Sequence, residues 1–324
     1  MSGKEIVLEI THCPRCSSDQ FQHLYTTPDF LYGVRGTFSV VQCKNCGLQY
    51  QNPRPTAESL SSIYPDVYAP HQSRKLGRSK GKLGRLLESI NPLRAHHQSI
   101  GLNPVFVEDG QLIELGCASG GRLVNLRMVG WKHLYGIELS SKAAALAKAN
   151  GFDVRCGLIE NELGRFPDQY FDVVISSMVL EHLYDPFALI DLVARKLKPG
   201  GQFLFSTIVR DSLDARLYSK YWAGYDLPRH MVFYTLDDLT EYLSNGFSNI
   251  RSKRQTAFGD FSRSSEWRRA AGEKYLLDSL IGLFKPGILT ELLGMLAAPF
   301  GGSSRVSLEG RRKMSSEKKV PNPG

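Results

Sequence analysis

The sequence predicts an α/β fold: a doubly wound, parallel sheet of seven strands, with a small cysteine-bearing module before it and a helical insert ahead of its last strand. Three observations carry this. From about residue 111, short β-branched runs alternate with segments of helical spacing, the pattern of a parallel sheet wrapped by helices. Two C-x-x-C pairs fall within the first fifty residues. The chain has 324 residues, 42% of them apolar, enough for one large core and a satellite.

The elements follow in order. Residues 1–55 form the module, whose loops read as irregular, and residues 56–110 a linker with helices. Thr56 to Ile63 predicts a short helix after the Pro-punctuated "NPRPT". Residues 71–97 are basic and Gly/Ser-interrupted, with His96 and His97 on a solvated surface. The main domain spans 111–312. "GQLIELG" is a buried strand, "GRLVNLRMVG" a helix closed by Gly130, "KHLYGIEL" a strand, and "SSKAAALAKANG" a helix with a Ser cap. "FDVRCG" and "YFDVVISSMVL" are strands, and "DPFALIDLVARKLKPGG" is an amphipathic helix stopped by Pro-Gly-Gly. "QFLFSTIV", the helix "TLDDLTEYLSNG" and the strand "FSNIRSKRQTAF" continue the alternation. Residues 261–302 read as a helical insert, "SSRVSLEGRR" as the last strand, and 313–324 as a disordered tail.

In such sheets ligands sit at the carboxyl ends of the strands, near the first strand-to-helix turn. "IELGCASGG" occupies that turn. Its small residues Gly116, Ala118, Gly120 and Gly121 let a ligand approach the backbone closely. A dinucleotide site asks for G-x-G-x-x-G, which is met here only in degraded form. Glu114 lies two residues before the first glycine. Glu138 ends the second strand, where an acid can hold ribose hydroxyls.

With "SSMVLEHL" and "LKPGG" downstream, "ELGCASGG" and "GIEL" resemble the class I S-adenosylmethionine-dependent methyltransferases over about residues 110–255. The departure is Ala118 in place of the middle glycine. The resemblance implies a Rossmann-like domain and S-adenosylmethionine as cofactor. It assigns Glu114 and the backbone of Gly116, Cys117, Ala118 and Gly120 to the methionine end. Glu138 and Leu139 go to the ribose, Leu158 and Ile159 to the adenine, and Ser177 to the cofactor wall. The cofactor carries no phosphate, so a turn without lysine suits it; Glu138 would accept two ribose hydroxyls as charge-assisted bonds.

Cys13, Cys16, Cys43 and Cys46 form two C-x-x-C knuckles that can complete a tetrahedron around Zn2+; four thiolates leave no open position, so the metal would be structural. "CKNCGLQYQNPRPT" is similar to the N-terminal zinc-ribbon module of a bacterial methyltransferase group associated with polysaccharide and lipid-glycan assembly. That resemblance implies a small-molecule or glycan/lipid-linked acceptor.

Methyl transfer to oxygen needs a base for the acceptor's proton. His182, in "LEHLYDP" after the fourth strand, and His230, in "GYDLPRHMVFY", are the candidates. Tyr225 and Arg229 are the candidate acceptor contacts, Arg229 for a phosphate or carboxylate, with Tyr221 and Trp222 either lining a ring or packing in the core.

The net charge of +8 permits RNA, an anionic membrane or a nucleotide-sugar without selecting one. "MSGKEIVLEI" lacks a signal peptide's apolar core, and no apolar run of about 18 residues occurs, so a cytoplasmic protein is expected. Residues 275–300 are Leu-rich and broken by Lys285-Pro286-Gly287, compatible with two packed helices or with a peripheral membrane contact. O-methylation of a small acceptor leads. An RNA methyltransferase gripping through the module is the alternative, weakened by the lack of interleaved aromatic and basic residues. A silent binding fold and a nicotinamide oxidoreductase follow.

Overall fold

The computed structural model describes residues 6–64, 102–255, 258–273, 275 and 303–314. The module contains β1 (Leu8–Glu9), β2 (Phe21–Pro28), β3 (Thr37–Cys43), β4 (Gln49–Gln51), β5 (Arg54–Pro55) and α1 (Leu60–Ile63). The main domain runs β6 (Gln111–Leu115), α2 (Gly121–Met128), β7 (His133–Glu138), α3 (Ser141–Ala149), β8 (Asp153–Cys156), α4 (Ile159–Gly164) and β9 (Phe171–Ser177). It continues with α5 (Pro186–Lys196), β10 (Leu197–Ile208), α6 (Leu213–Tyr218), β11 (Val232–Phe233), α7 (Leu236–Gly246), β12 (Phe247–Arg254), α8 (Phe258–Ala270) and β13 (Arg305–Arg312).

The seven-stranded sheet has the order β12-β13-β10-β9-β6-β7-β8. Strands β10, β9, β6, β7 and β8 are parallel neighbours, each pair exposing its carboxyl end on the same edge. The last strand departs from an all-parallel sheet: β13 runs antiparallel to both β10 and β12. Both faces are covered, so the inner strands are apolar on both sides. Along β9, Val173 and Ile175 join the core under α2 and α3, whereas Val174 joins the core under α5 and α7. Helix ends are fixed by side chains where the sequence supplies them. Asp185 accepts the amide of Ala188 ahead of Pro186, and Thr235 and Asp238 cap α7 reciprocally. "LKPGG" lies within β10, where the pairing with β9 shifts register between Leu197 and Gln202, instead of forming a turn before it.

The module is more ordered than its irregular sequence suggests. β2, β3 and β4 make an antiparallel sheet whose fourth strand is β11, taken from the main domain. Cys13, Val41, Cys43, Leu48, Tyr50 and Ile63 belong to the same apolar cluster as Ile113 and Leu115 of the main sheet and Leu239 of α7. Arg15 reaches Asp238 and Glu241 on α7, each at 2.6 Å. The module and the sheet therefore share a core, and the alternating pattern that marks a half-exposed sheet was hidden by this shared burial. The helix expected from Thr56 to Ile63 is a 3₁₀ turn, Ala57–Ser59, followed by α1. Of the insert at 261–302, residues 261–273 and 275 are described, the first ten of them within α8. The linker at 71–97, the Leu-rich stretch from 276 to 300 and the tail from 315 lie outside the described residues. Among the described residues no helix is long and apolar enough to cross a membrane.

Candidate functional site

A cavity of about 480 Å³ opens at the carboxyl edge of the sheet, where the strand order reverses between β6 and β9. Gly116, Ala118, Glu138, Leu139, Leu158, Ile159 and Ser177 line one side of it. Leu31, Tyr32, Leu60 and Tyr64 of the module join His182 and His230 on the other.

The glycine-rich turn is shaped by backbone. Gly116 has φ +72°, and a Cβ there would meet Val179 Cγ2 at 2.6 Å, so only glycine keeps this wall open. Ala118 adopts φ +47°, left-handed for a residue with a side chain. Its conformation is held by Glu138, whose Oε2 accepts the Ala118 amide and whose Oε1 accepts the Ser140 amide, both at 2.8 Å. Glu138 is itself buried, so this carboxylate ties the two backbone amides together out of solvent.

Glu114, Cys117 and Gly120 do not reach the cavity wall. The Glu114 carboxylate meets Arg122 Nε at 2.9 Å, and burial pushes its pKa up to about 7 in spite of that cation. Its Oε2 is buried without a hydrogen-bond partner among the described residues. Cys117 packs its Sγ over Gly136, where a Cβ would stand 2.6 Å away. Gly120 is the left-handed cap of α2, pressed against Phe152 and Ala147.

On the opposite side the two candidate histidines meet edge to face, ring centroids 4.5 Å apart. His230 Nδ1 lies 2.7 Å from the Gly224 carbonyl, and His182 Nδ1 lies 3.1 Å from the Arg229 carbonyl. A carbonyl only accepts, so each Nδ1 carries the proton and each Nε2 keeps its lone pair. Tyr64 OH also sits 3.0 Å from His182 Nδ1. Burial lowers both pKa values, that of His182 to about 4, with the neighbouring His230 adding to the effect. Both imidazoles are thus neutral bases near pH 7. Asp226 Oδ2 stands 3.8 Å from His230 Nε2, near enough to favour a proton there. Glu181, unassigned by sequence reasoning although it sits inside "LEHL", is fully buried beside them; its Oε2 accepts from Thr207.

Two sequence expectations need correction. Arg229 is not an acceptor contact. It is fully buried and off the cavity, holding Asp29 through Nη1 at 2.8 Å and Nη2 at 2.7 Å, and Asp226 through Nη2 at 2.7 Å. Asp29 in turn accepts the amides of Leu31, Tyr32 and Val34. Every strong donor direction of the guanidinium is spent inside the protein. Tyr225 is likewise off the wall: it stacks edge-on with Tyr25, Trp222 and Phe233, and its hydroxyl donates to Gln49. Tyr221 and Trp222 pack in the same cluster. Besides the module residues, the cavity acquires Asp260, Arg263 and Arg305, which no periodicity or motif distinguished.

The four cysteines of the module converge. Their sulfurs all lie within 4.8 Å of one another, with Cys13–Cys46 and Cys16–Cys43 at 3.5 Å. A tetrahedron with metal–sulfur bonds of about 2.3 Å has edges of about 3.8 Å, so the donor set fits one ion.

Curated relatives named ubiquinone biosynthesis O-methyltransferase include one from Xylella fastidiosa, 32% identical over 38% of this chain and 51% of the relative. Another, from Marinobacter nauticus, is 34% identical over 39% of this chain and 54% of the relative. The chain spans about half the length of the curated relatives it matches. A solved S-adenosylmethionine-dependent methyltransferase from Thermotoga maritima, described as a possible histamine N-methyltransferase, aligns over 71% of this chain and 97% of its own at 20% identity and a TM-score of 0.45. A family model described as a methyltransferase domain matches residues 90–251, half of the 324-residue chain, and the protein belongs to that family, the S-adenosylmethionine-dependent methyltransferases.

Proposed function

We propose that this protein methylates an oxygen of a small acceptor bound between the sheet edge and the module, with the histidine pair taking the acceptor's proton. The observation that carries this reading is the convergence of His182 and His230 on the same cavity as Gly116 and Glu138. The cofactor supplies an electrophilic methyl group on a sulfonium, so most of the protein's task is positioning. Glu138 holds the ribose diol, the Gly116–Ala118 backbone takes the methionine end, and Leu158 and Ile159 flank the adenine. His230, its Nδ1 tied to the Gly224 carbonyl, presents Nε2 as the base, and Asp226 steadies the imidazolium that forms. His182 shapes the same pocket and shares the proton.

The relatives named O-methyltransferases support oxygen as the atom methylated. A concave cavity of this size favours a small or glycan/lipid-linked acceptor over RNA. The cysteine cluster holds a structural Zn2+ that keeps the module folded against the sheet.

The test is incubation with methyl-labelled cofactor and fractionated extract. Label is expected in alkali-stable ethers of a small-molecule or lipid fraction, with turnover that depends only weakly on salt and falls steeply in His230→Ala. Label confined to RNA, with binding that weakens steeply as salt rises, would replace this reading with the nucleic-acid one. Metal analysis of the purified chain should return one zinc, lost in Cys16→Ser.

A further inference from the structure

We propose that the end of the cavity farthest from the cofactor turn binds an oxyanion, phosphate or carboxylate, carried by the acceptor, with Arg263 as its main contact and Arg305 beside it. This rests on the reading of the cavity as an acceptor site and adds what class of acceptor it takes.

Two guanidiniums share one carboxylate on this wall. Arg305 clasps Asp260 through Nε at 3.0 Å and Nη2 at 3.2 Å. Burial works against the Asp260 charge, but Arg305 holds its carboxyl below the ordinary range, so it is an anion already committed. Arg263 stands 3.8 Å from the same carboxylate, beyond hydrogen-bond reach, and makes no hydrogen bond among the described residues. Two further acids of the cavity wall are not hydrogen-bonded to it: Asp226 is held by Arg229, and Glu181 accepts from Thr207 through Oε2 while its Oε1 has no partner among the described residues. Arg263 therefore keeps its N–H donors unspent among the described residues while it lines the cavity. They form a planar fork, the shape that meets phosphate or carboxylate with two parallel bonds.

Position says whose anion this is. Arg305 pairs with Ile208 at the carboxyl end of β10. β13 lies three strands from β6 and four from β7 in the sheet. At about 4.8 Å per strand, the pair is roughly 14 Å from the glycine-rich turn and roughly 19 Å from Glu138. The histidines lie between, after β9 and beside β11. An anion at Arg263 is thus on the far side of the proton-accepting groups from the nucleoside, and it belongs to the acceptor. The role expected of Arg229 passes to Arg263, which is 41% exposed where Arg229 is sealed.

The experiment is calorimetric titration of inorganic diphosphate, and separately of malonate, into the full chain saturated with S-adenosylhomocysteine at constant ionic strength. Wild type, Arg263→Ala and Arg263→Lys are compared. At least one oxyanion should bind wild type, with affinity reduced on the order of tenfold in Arg263→Ala and partly restored in Arg263→Lys. Tighter diphosphate binding identifies a phosphate-bearing acceptor, and tighter malonate binding a carboxylate. S-adenosylhomocysteine affinity should be equal in all three proteins. If neither oxyanion binds wild type, or Arg263→Ala binds as wild type does, the proposal is overturned. If S-adenosylhomocysteine itself does not bind, the reading of the cofactor side fails instead.

Discussion

The two sides of the cavity are built by different means. The glycine-turn side is local. Its shape comes from the backbone of residues 116–120 and from one carboxylate that ties residues 118 and 140 together from position 138. The histidine side is assembled from parts far apart in the chain. Arg229 meets Asp29 across 200 positions, and Tyr64 meets His182 across 118. A turn made of successive residues tolerates change elsewhere in the protein. A buried network joining a module to a domain does not, because each missing partner strands a charge.

That contrast orders the expected effects of mutation. The largest falls on chemistry: His230→Ala should lower turnover about 10²- to 10⁴-fold while S-adenosylhomocysteine binds as in wild type, checked by single-turnover kinetics and calorimetry. A parallel loss of cofactor binding would merge the two sides into one unit. Next, Arg229→Met leaves Asp29 and Asp226 buried without their cation, and should cost about 3–5 kcal/mol in urea unfolding. Third, Glu138→Gln should weaken cofactor binding on the order of tenfold or more, with a smaller loss of stability because Oε1 remains to accept a backbone amide.

The gentlest probe is pH. His182 is held neutral, its pKa near 4 in the folded protein against 6.5 for the free side chain. The unfolded chain therefore binds more protons than the native one between those values. The stability derived from burying the neutral ring is complete above pH 6.5 and is lost as pH falls through 4. Urea midpoints at pH 7.5, 5.5 and 4.5 should fall in that order, and His182→Gln should flatten the slope. Turnover should likewise hold to lower pH than an exposed histidine would allow.

The same contrast explains what could be read in advance. The alternation of β-branched runs and helical segments reports a sheet covered on both faces, so β6 to β10 and their helices were legible. So were Gly116, Ala118 and Glu138, because a strand end followed by small residues and a second acid is a local signal. Both histidines were legible as residue types after strands. Arg229 misled for a physical reason: its neighbours in sequence, Leu227, Pro228 and His230, say nothing of Asp29, which arrives from the module and seals it. Tyr225 misled in the same way, being enclosed by Tyr25 and Gln49. Arg263 and Arg305 were silent because a polar residue on an amphipathic helix or an outer strand looks like any solvated one. The module's sheet was silent because its fourth strand, β11, comes from far along the chain, Val232 pairing with Tyr50.

The measurement that bears most directly on the account is S-adenosylhomocysteine binding, by calorimetry, to wild type, Glu138→Gln and His230→Ala. Tight binding to wild type and His230→Ala with clear weakening in Glu138→Gln is the result expected of a cavity with a cofactor side and a separate proton-accepting side. No binding to wild type, or equal binding to all three, would contradict it.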